Sequence, residues 1–378
     1  MIRQLNLPAG IIYIGPENAR DTKKIIVNFT DAIDPTQEIS FIRPFRHFLA
    51  ERGNSIFLIP ASQLERIKQR YDQKPIDDAL DEAFKGVEID LVILSRYTGP
   101  HWQELLRFAQ KRSVPIAVHL DDNLLEVPAE LKIDTYYEPS RKAALLGTLR
   151  ESDLVIASTA PLASQLSGYE HRKIVYGDIY CSVMDQDFYP PTAQNENIRI
   201  GYMAGYSHKH DLEYVAEEIA AVLREYKNAY LEVSGFDFSV ATSPFPADRI
   251  KFRTGTYGTY NGFRRNLPKL GWDIGLAPLR PIKYNKCKAN TKWVEYCCSG
   301  IAVLAAHDAP YSAIPSDCVA FSDRANWQDN LANLMENPTL RFEMTAAAMT
   351  YLRKKFSLEA HAEQIKKIFS SVGVDLRG

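Results

Sequence analysis

Short, almost wholly apolar runs separated by helical patterns recur along most of this 378-residue chain, and they limit the folds open to it. KKIIVNFT (23–30), SIFLIP (55–60), IDLVILSRY (89–97), VPIAVHLDD (114–122), DLVIAST (153–159) and RKIVYGD follow one another in the first half. Between them, SFIRPFRHFLAERG (40–53) reads as a helix closed by Gly53, residues 62–84 as partly helical, and HWQELLRFAQKR (101–112) as a helix. Strands buried on one face alternate apolar and polar residues, whereas strands covered on both faces read as continuous apolar runs. The pattern predicts a parallel sheet with helices on both sides.

The texture breaks at DFYPPTAQNENIR (187–199), rich in Pro, Asn and Gln, and this segment reads as a linker. The alternation then restarts with IRIGYMAGY, AYLEVSG, RIKFRTG, WDIGLAPL, IAVLAA and CVAFSD, and ends in a mostly helical stretch from Trp327 to about Val372. DLEYVAEEIAAVLREY (211–226) predicts one amphipathic helix with Asp211 as its N-cap. The expected fold is therefore α/β, with two Rossmann-like, doubly wound parallel-sheet domains at residues 1–190 and 191–355. A C-terminal helix, 356–378, is expected to pack back on the first domain. With 46% hydrophobic residues, the chain has enough apolar material for two cores.

Composition excludes several classes. A net charge of -2 lacks the basic footprint of a nucleic-acid binder. No apolar run approaches the roughly 20 residues that span a bilayer, and the opening residues lack a signal-peptide core. The five cysteines, two of them adjacent at 297 and 298, fit neither a disulfide framework nor a zinc site, so reduced thiols and a cytoplasmic setting are expected. GxGxxG, P-loop and GxSxG signatures are missing from the sequence.

Chemistry concentrates in KCKANTKWVEYCCSGIAVLAA (286–306). A strand, WDIGLAPL, gives way to a loop bearing Arg280, Lys283, Lys286 and Lys288, then to a helix that Asn290 or Thr291 can cap and that Ser299-Gly300 ends. Cations beside a helix N-terminus are mildly unfavourable, by roughly 0.3–1 kcal/mol each, unless an anion sits there; phosphate is the usual occupant. Glu295 follows Lys292 by three residues and Thr291 by four, so it shares their face. It can accept hydrogen bonds from sugar hydroxyls. The alternative is a surface Lys292–Glu295 pair beside a solvated loop.

At these residues the chain resembles the GT-B glycosyltransferases of the family 4 type. In that family a lysine-bearing loop leads into a K-x-x-E-Y helix, a small-residue-Gly turn and an apolar strand. IGYMAGYSHKHDLEYV resembles the family's first donor-domain strand, glycine turn and helix, and VPIAVHLDDNLLEVP and SDLVIASTAPLASQL resemble strands of its acceptor domain. The resemblance implies that Glu295 binds the nucleotide ribose and that Lys288 and Lys292 hold the diphosphate, with Asn290 and Thr291 at the same helix start. It implies that Gly205 lets backbone approach the phosphates, that Lys209 adds a cation, and that Asp121 faces the reacting sugar. No cofactor is implied beyond a nucleotide-diphosphate sugar as donor substrate. The acceptor would be a glycan or lipid-linked glycan in bacterial polysaccharide synthesis, with retention at the anomeric carbon and peripheral association with a membrane. Many relatives carry an acid eight positions before the ribose-binding Glu, where this chain has Cys287. A nucleotide-sugar epimerase and a non-catalytic binding module are the rival readings.

Other motifs are weaker. Asp121-Asp122 suggests Mg²⁺ or Mn²⁺, but HLDDN lacks the Asp-x-Asp spacing of metal-dependent sugar transferases, and no metal site is expected. His208-Lys209-His210 reads first as a surface loop and secondly as a phosphate-side position. Tyr257, in the RTGTY segment that begins at Arg253, can stack on a base or simply pack. Arg43, Arg46 and His47 read as a solvated helix face.

Overall fold

The computed structural model describes residues 5–17, 21–131, 138–191, 196–205, 208–235, 244–253 and 258–376. The chain forms two compact units. The first comprises Met1–Val127, Ile133–Ser182 and Leu358–Gly378; the second comprises Pro128–Lys132 and Val183–Ser357.

The first unit is built on seven strands: β1 (Ile12–Ile14), β2 (Lys24–Thr30), β3 (Asn54–Pro60), β4 (Leu91–Ser95), β5 (Ile116–Leu120), β6 (Leu154–Ala157) and β7 (Ile174–Tyr176). Their order is β1-β3-β2-β4-β5-β6-β7. All neighbours are parallel except β1, an antiparallel edge strand on β3 that the apolar pattern did not announce. Strand order reverses between β2 and β4, so loops at the carboxyl ends of these strands border a crevice of the kind in which doubly wound sheets bind ligands.

The helix expected to begin at Ser40 begins earlier and runs through residues 35–52. Pro44 has no N–H to offer the carbonyl four residues back, so the backbone adopts π-helical turns at Glu38–Ile42 and Phe45–Leu49. Gly53, at φ 88°, closes the run as expected. The C-terminal helix Leu358–Ser370 contributes Ala362, Ile365 and Phe369 to the same core as Ile26, Ile56, Ile93 and Phe45. Its Gln364 side chain bonds both the N–H and the carbonyl of Ile179, at 2.9 and 2.8 Å. Gly177 makes that approach possible, since a Cβ there would lie 2.0 Å from the Gln364 amide.

The second unit holds β8 (Ile198–Met203), β9 (Ala229–Ser234), β10 (Ile250–Arg253), β11 (Ile274–Ala277), β12 (Ala302–Ala306) and β13 (Ala320–Ser322). The order β10-β9-β8-β11-β12-β13, all parallel, is the Rossmann order, with its reversal between β8 and β11. These two strands share only the pairs Ile274↔Ile200 and Gly275↔Gly201. Beyond that point the Tyr296 hydroxyl bridges them, accepting from Met203 N–H at 2.9 Å and facing the Leu276 carbonyl at 3.3 Å. Gly275 leaves room for the Tyr296 ring and Gly201 for Trp272. The single helix expected over 211–226 is two, Lys209–Glu213 and Ala216–Glu225. Asp211 is not its N-cap but a buried residue inside the first. All five cysteines are buried and outside any disulfide.

Gly300 follows the helix Thr291–Cys298 at φ 77°, and a Cβ there would meet the Pro190 carbonyl oxygen at 2.2 Å. Left-handed strain and overpacking then add, at about 1–2 and 1–3 kcal/mol. Gly300→Ala is expected to lower unfolding free energy by about 2–5 kcal/mol, read from urea denaturation midpoints; a change below about 1 kcal/mol would contradict this packing.

Candidate functional site

In the second unit, the segments that leave the carboxyl ends of β8 and β11 meet where the strand order reverses. Asp211 ties them together. Its Oδ1 accepts from the Arg280 backbone N–H (3.0 Å) and from Asn285 Nδ2 (2.7 Å), while its Oδ2 pairs with His208 Nδ1 (3.0 Å). Burial would raise this carboxyl's pKa, but the His208 hydrogen bond and neighbouring positive charges prevail and hold it below its usual value. Arg280 also reaches Glu130 Oε1 at 3.1 Å, which anchors the short Ala129–Leu131 turn to this unit.

Against this anchor lie the predicted cations. Lys292, in the first turn of helix Thr291–Cys298, sits 5.3 Å from the centre of the Tyr202 ring, and Lys288 sits 4.7 Å from that of Tyr284. Burial lowers the Lys292 ammonium to about 8, with Lys288 repelling it while Asp211 and Glu295 act in the other direction. His208 is pushed down to about 3 by burial and by the same two lysines. It is a half-buried member of the cluster rather than a plain surface residue. The expected side-chain cap is not formed: Asn290 occupies the N-cap position without a cap bond, and Thr291 begins the helix. Among the described residues, no atom lies within 4 Å of where a Cβ on Gly205 would stand.

Glu295 is buried one turn into the helix, which overturns the reading of a solvated Lys292–Glu295 surface pair. Burial raises its carboxyl to about 7, against the pull of Arg264, a Tyr260 hydrogen bond and Lys292. Arg264 is itself placed by Asp187, 3.1 Å away. Tyr260 and Arg264 had no signal in the sequence beyond the arginine pair in NGFRRN.

Other predicted residues stand apart. Lys209 engages Glu213 at 3.5 Å, Lys286 faces Asp308 at 3.2 Å, and His210 bonds Glu213 and the Glu130 carbonyl. Cys287 is wholly buried. Tyr257 lies outside the described residues. Among the described residues, no group of three His, Cys, Asp or Glu side chains could hold a metal ion.

The first unit presents a second constellation at its own reversal point. Asp121, just past β5, has both oxygens engaged: Oδ1 by Arg96 (2.7 Å), and Oδ2 by Thr36 (2.6 Å) and Tyr180 (2.8 Å). Arg96 follows β4 at a positive φ of 50°, an uncommon conformation for a residue with a Cβ. Burial opposes ionisation of Asp121, but Arg96, with His119, Thr36 and Tyr180, outweighs it and holds the carboxyl well below the usual range. A carboxylate so bound is a weak proton acceptor and a strong anchor for Arg96. Asp122 lies 4.0 Å from Arg96, Arg43 is buried, and Arg46 is exposed near Glu38.

No protein-family model and no curated protein matches the sequence itself. Solved structures do match its fold. Sucrose-phosphate synthase from Thermosynechococcus elongatus superposes with a TM-score of 0.63 at 13% identity, over 92% of this chain and 99% of that one. Anabaena HepE in complex with UDP-glucose gives 0.62 at 13%, over 92% and 99%. A glycosyltransferase from Rickettsia africae gives 0.63 at 13%, over 93% and 98%. The fold is GT-B, with two parallel-sheet α/β domains.

Two outcomes follow from the charges. Folding raises Glu295 from 4.5 to about 7, so its stabilising contribution is full below pH 4.5 and is lost as pH rises through 7. Relative to Glu295→Gln, the native chain is expected to lose up to about 3 kcal/mol of stability across that window, measured by urea unfolding at pH 5 and 8. A pH-independent difference would refute the burial of a titrating carboxyl. Asp121→Asn, which leaves Arg96 without its partner, is expected to cost about 3–5 kcal/mol by the same measurement, and a cost below about 1 kcal/mol would argue against the anchor.

Proposed function

We propose that this chain transfers a glycosyl group from a nucleoside-diphosphate sugar to an acceptor hydroxyl. The observation that carries the reading is the convergence of Lys288, Lys292 and His208 on the uncapped start of helix Thr291–Cys298, with the buried Glu295 one turn behind. The two lysine cations suit a diphosphate and the Glu295 carboxyl suits a ribose diol; their position beside the strand-order reversal, where doubly wound sheets bind ligands, supports the reading.

In the transfer, the bond from the anomeric carbon to the β-phosphate oxygen breaks, and its electron pair leaves with the diphosphate. The acceptor oxygen bonds that carbon, and its proton passes to the departing β-phosphate oxygen. Charge grows on the leaving group, and Lys288, Lys292 and the helix start are already in place to meet it, so the site pays little reorganisation at that moment. This supply of positive charge needs no divalent cation, and turnover in a chelator tests that. Asp121, saturated by its three partners, is assigned as the residue that positions Arg96 rather than as a base. The likeness of Lys288–Gly300 to the family 4 motif favours retention, which the anomeric configuration of the product decides. It also favours a role in bacterial glycan synthesis.

HepE was captured with UDP-glucose, which makes that sugar the first donor to test. A non-catalytic binding module is the second reading, favoured by Cys287 where many relatives carry an acid. It predicts nucleotide binding without turnover across donors and acceptors. Among the described residues no helix is long and apolar enough to cross a membrane, and contact with a lipid-linked acceptor would be peripheral.

Binding itself has a proton signature. A diphosphate beside Lys292 raises an ammonium that starts at about 8, so UDP binding at pH 8 is expected to take up roughly half a proton. Titration calorimetry in two buffers of different ionisation enthalpy measures it. Lys292→Met should abolish the uptake and weaken UDP at least about tenfold; unchanged binding in Lys292→Met and in Lys288→Ala would remove the site from consideration.

A further inference from the structure

The first unit holds a small, partly open cavity to which the transfer described above assigns no residue but Tyr180. It lies between the π-helical turn Glu38–Ile42, the ends of β5 and β6, and the C-terminal helix Leu358–Ser370, and its volume is about 40 Å³. A water needs roughly 10–15 Å³ by the same measure, so the space suits about three waters or a ligand end of three to four heavy atoms. Its walls are mainly apolar, with Phe41, Ile156, Ile365 and Phe369 among them.

Three polar atoms in these walls have no hydrogen-bond partner among the described residues. Ser40 Oγ is buried and makes no hydrogen bond, although serines inside helices usually bond back to the preceding turn. His119 and His361, 5% and 4% exposed, each use Nδ1, on Ser95 Oγ (2.9 Å) and Ser182 Oγ (3.1 Å) respectively. No described residue bonds Nε2 of either ring.

His119 ends a chain of buried bonds. Asn28 Nδ2 donates to Gln37 Oε1, and Gln37 Nε2 donates to Ser95 Oγ. Ser95 Oγ keeps a proton and a lone pair for His119 Nδ1, so Nε2 is the donor in one tautomer and the acceptor in the other. Burial drives the His119 ring down to about 4, and burial with His119 and Arg43 drives His361 to about 3, so both rings are neutral near pH 7. The set therefore offers two neutral imidazole nitrogens and a hydroxyl that can both give and accept.

We propose that this cavity binds the hydroxyl-bearing end of a small apolar group, an aliphatic alcohol in chemical class, with its oxygen among Ser40, His119 and His361. A hydroxyl both accepts and donates, which matches the unpartnered atoms, while a short alkyl body fits walls of Phe and Ile. A polyol does not fit, because its further hydroxyls would face those walls without partners. Such an end can belong to a free effector or to an acceptor. Ser158 and Tyr180 line the cavity and also bond Asp121, at its carbonyl and its carboxylate respectively, so its wall is continuous with that network.

The test labels the histidines of the full chain with ¹⁵N and follows the Nε2 resonances during titration with propan-1-ol and butan-1-ol, with glycerol as the polyol control. Saturable shifts of His119 and His361 with the alcohols, and none with glycerol, are expected. Ser40→Ala should weaken the response about fivefold. Ile365→Phe, which fills the space, should abolish it while UDP binding and the melting temperature hold. Absence of saturation, equal shifts with glycerol, or an unchanged response in Ile365→Phe would show a cavity holding ordered water only and overturn the proposal. Product analysis with UDP-glucose and butan-1-ol separates the sources: a butyl glycoside marks an acceptor end, and binding without transfer marks an effector. The binding result stands apart from the transferase reading, since neither titration uses a donor.

Discussion

The second lobe depends on one hydroxyl. β8 and β11 must diverge for a crevice to open between them, yet each strand end then exposes backbone groups that a sheet ladder would otherwise satisfy. Tyr296 resolves the conflict by joining the Met203 N–H and the Leu276 carbonyl through its phenol. It sits on the same helix as Lys292 and Glu295, one residue after the carboxylate. The contact that spaces the strands therefore also fixes the rotation of the helix that carries the charges. Gly201 and Gly275 are consequences of that geometry, because aromatic rings occupy the volume their side chains would fill.

Both lobes handle charge by a common device. In each, a carboxylate near the point where strand order reverses is buried and fully bonded, and it holds a cationic or dipolar partner from a segment distant in sequence. Asp211 organises Arg280, Asn285 and His208; Asp121 organises Arg96, Thr36 and Tyr180. Neither is suited to exchanging protons at neutral pH. Groups whose charge can change there are Glu295 and Lys292, drawn toward neutrality by burial. Fixed charges build the frame, and soft ones lie on the helix it positions.

How much of this was legible depended on the range of the interaction. The continuous apolar runs announced the parallel strands because burial on both faces leaves its mark on neighbouring residues. β1 escaped because three residues on an antiparallel edge carry too short a pattern. The helix start at Thr291 was legible from its lysines and from the glycine that ends it. Its lack of a side-chain cap was not, since Asn290 is a good capping residue whose backbone settles elsewhere. Asp211 looked like a cap for the same reason. Only partners about seventy positions away explain why it is buried within a helix, and no local rule reports them. The environments of Glu295 and Asp121 were hidden likewise: Arg264, Tyr260, Arg96 and Tyr180 reach them through the fold, not through spacing.

The discontinuity of the first lobe has a consequence for biosynthesis. Its core includes Ala362, Ile365 and Phe369, which leave the ribosome after every strand of the second lobe. The β8–β13 sheet can therefore reach its native pairing during translation while the earlier-made lobe still lacks part of its interior. Order of emergence and order of completion are inverted. Until translation supplies the helix Leu358–Ser370, the apolar surface around Phe45 and Ile93 lacks part of its cover.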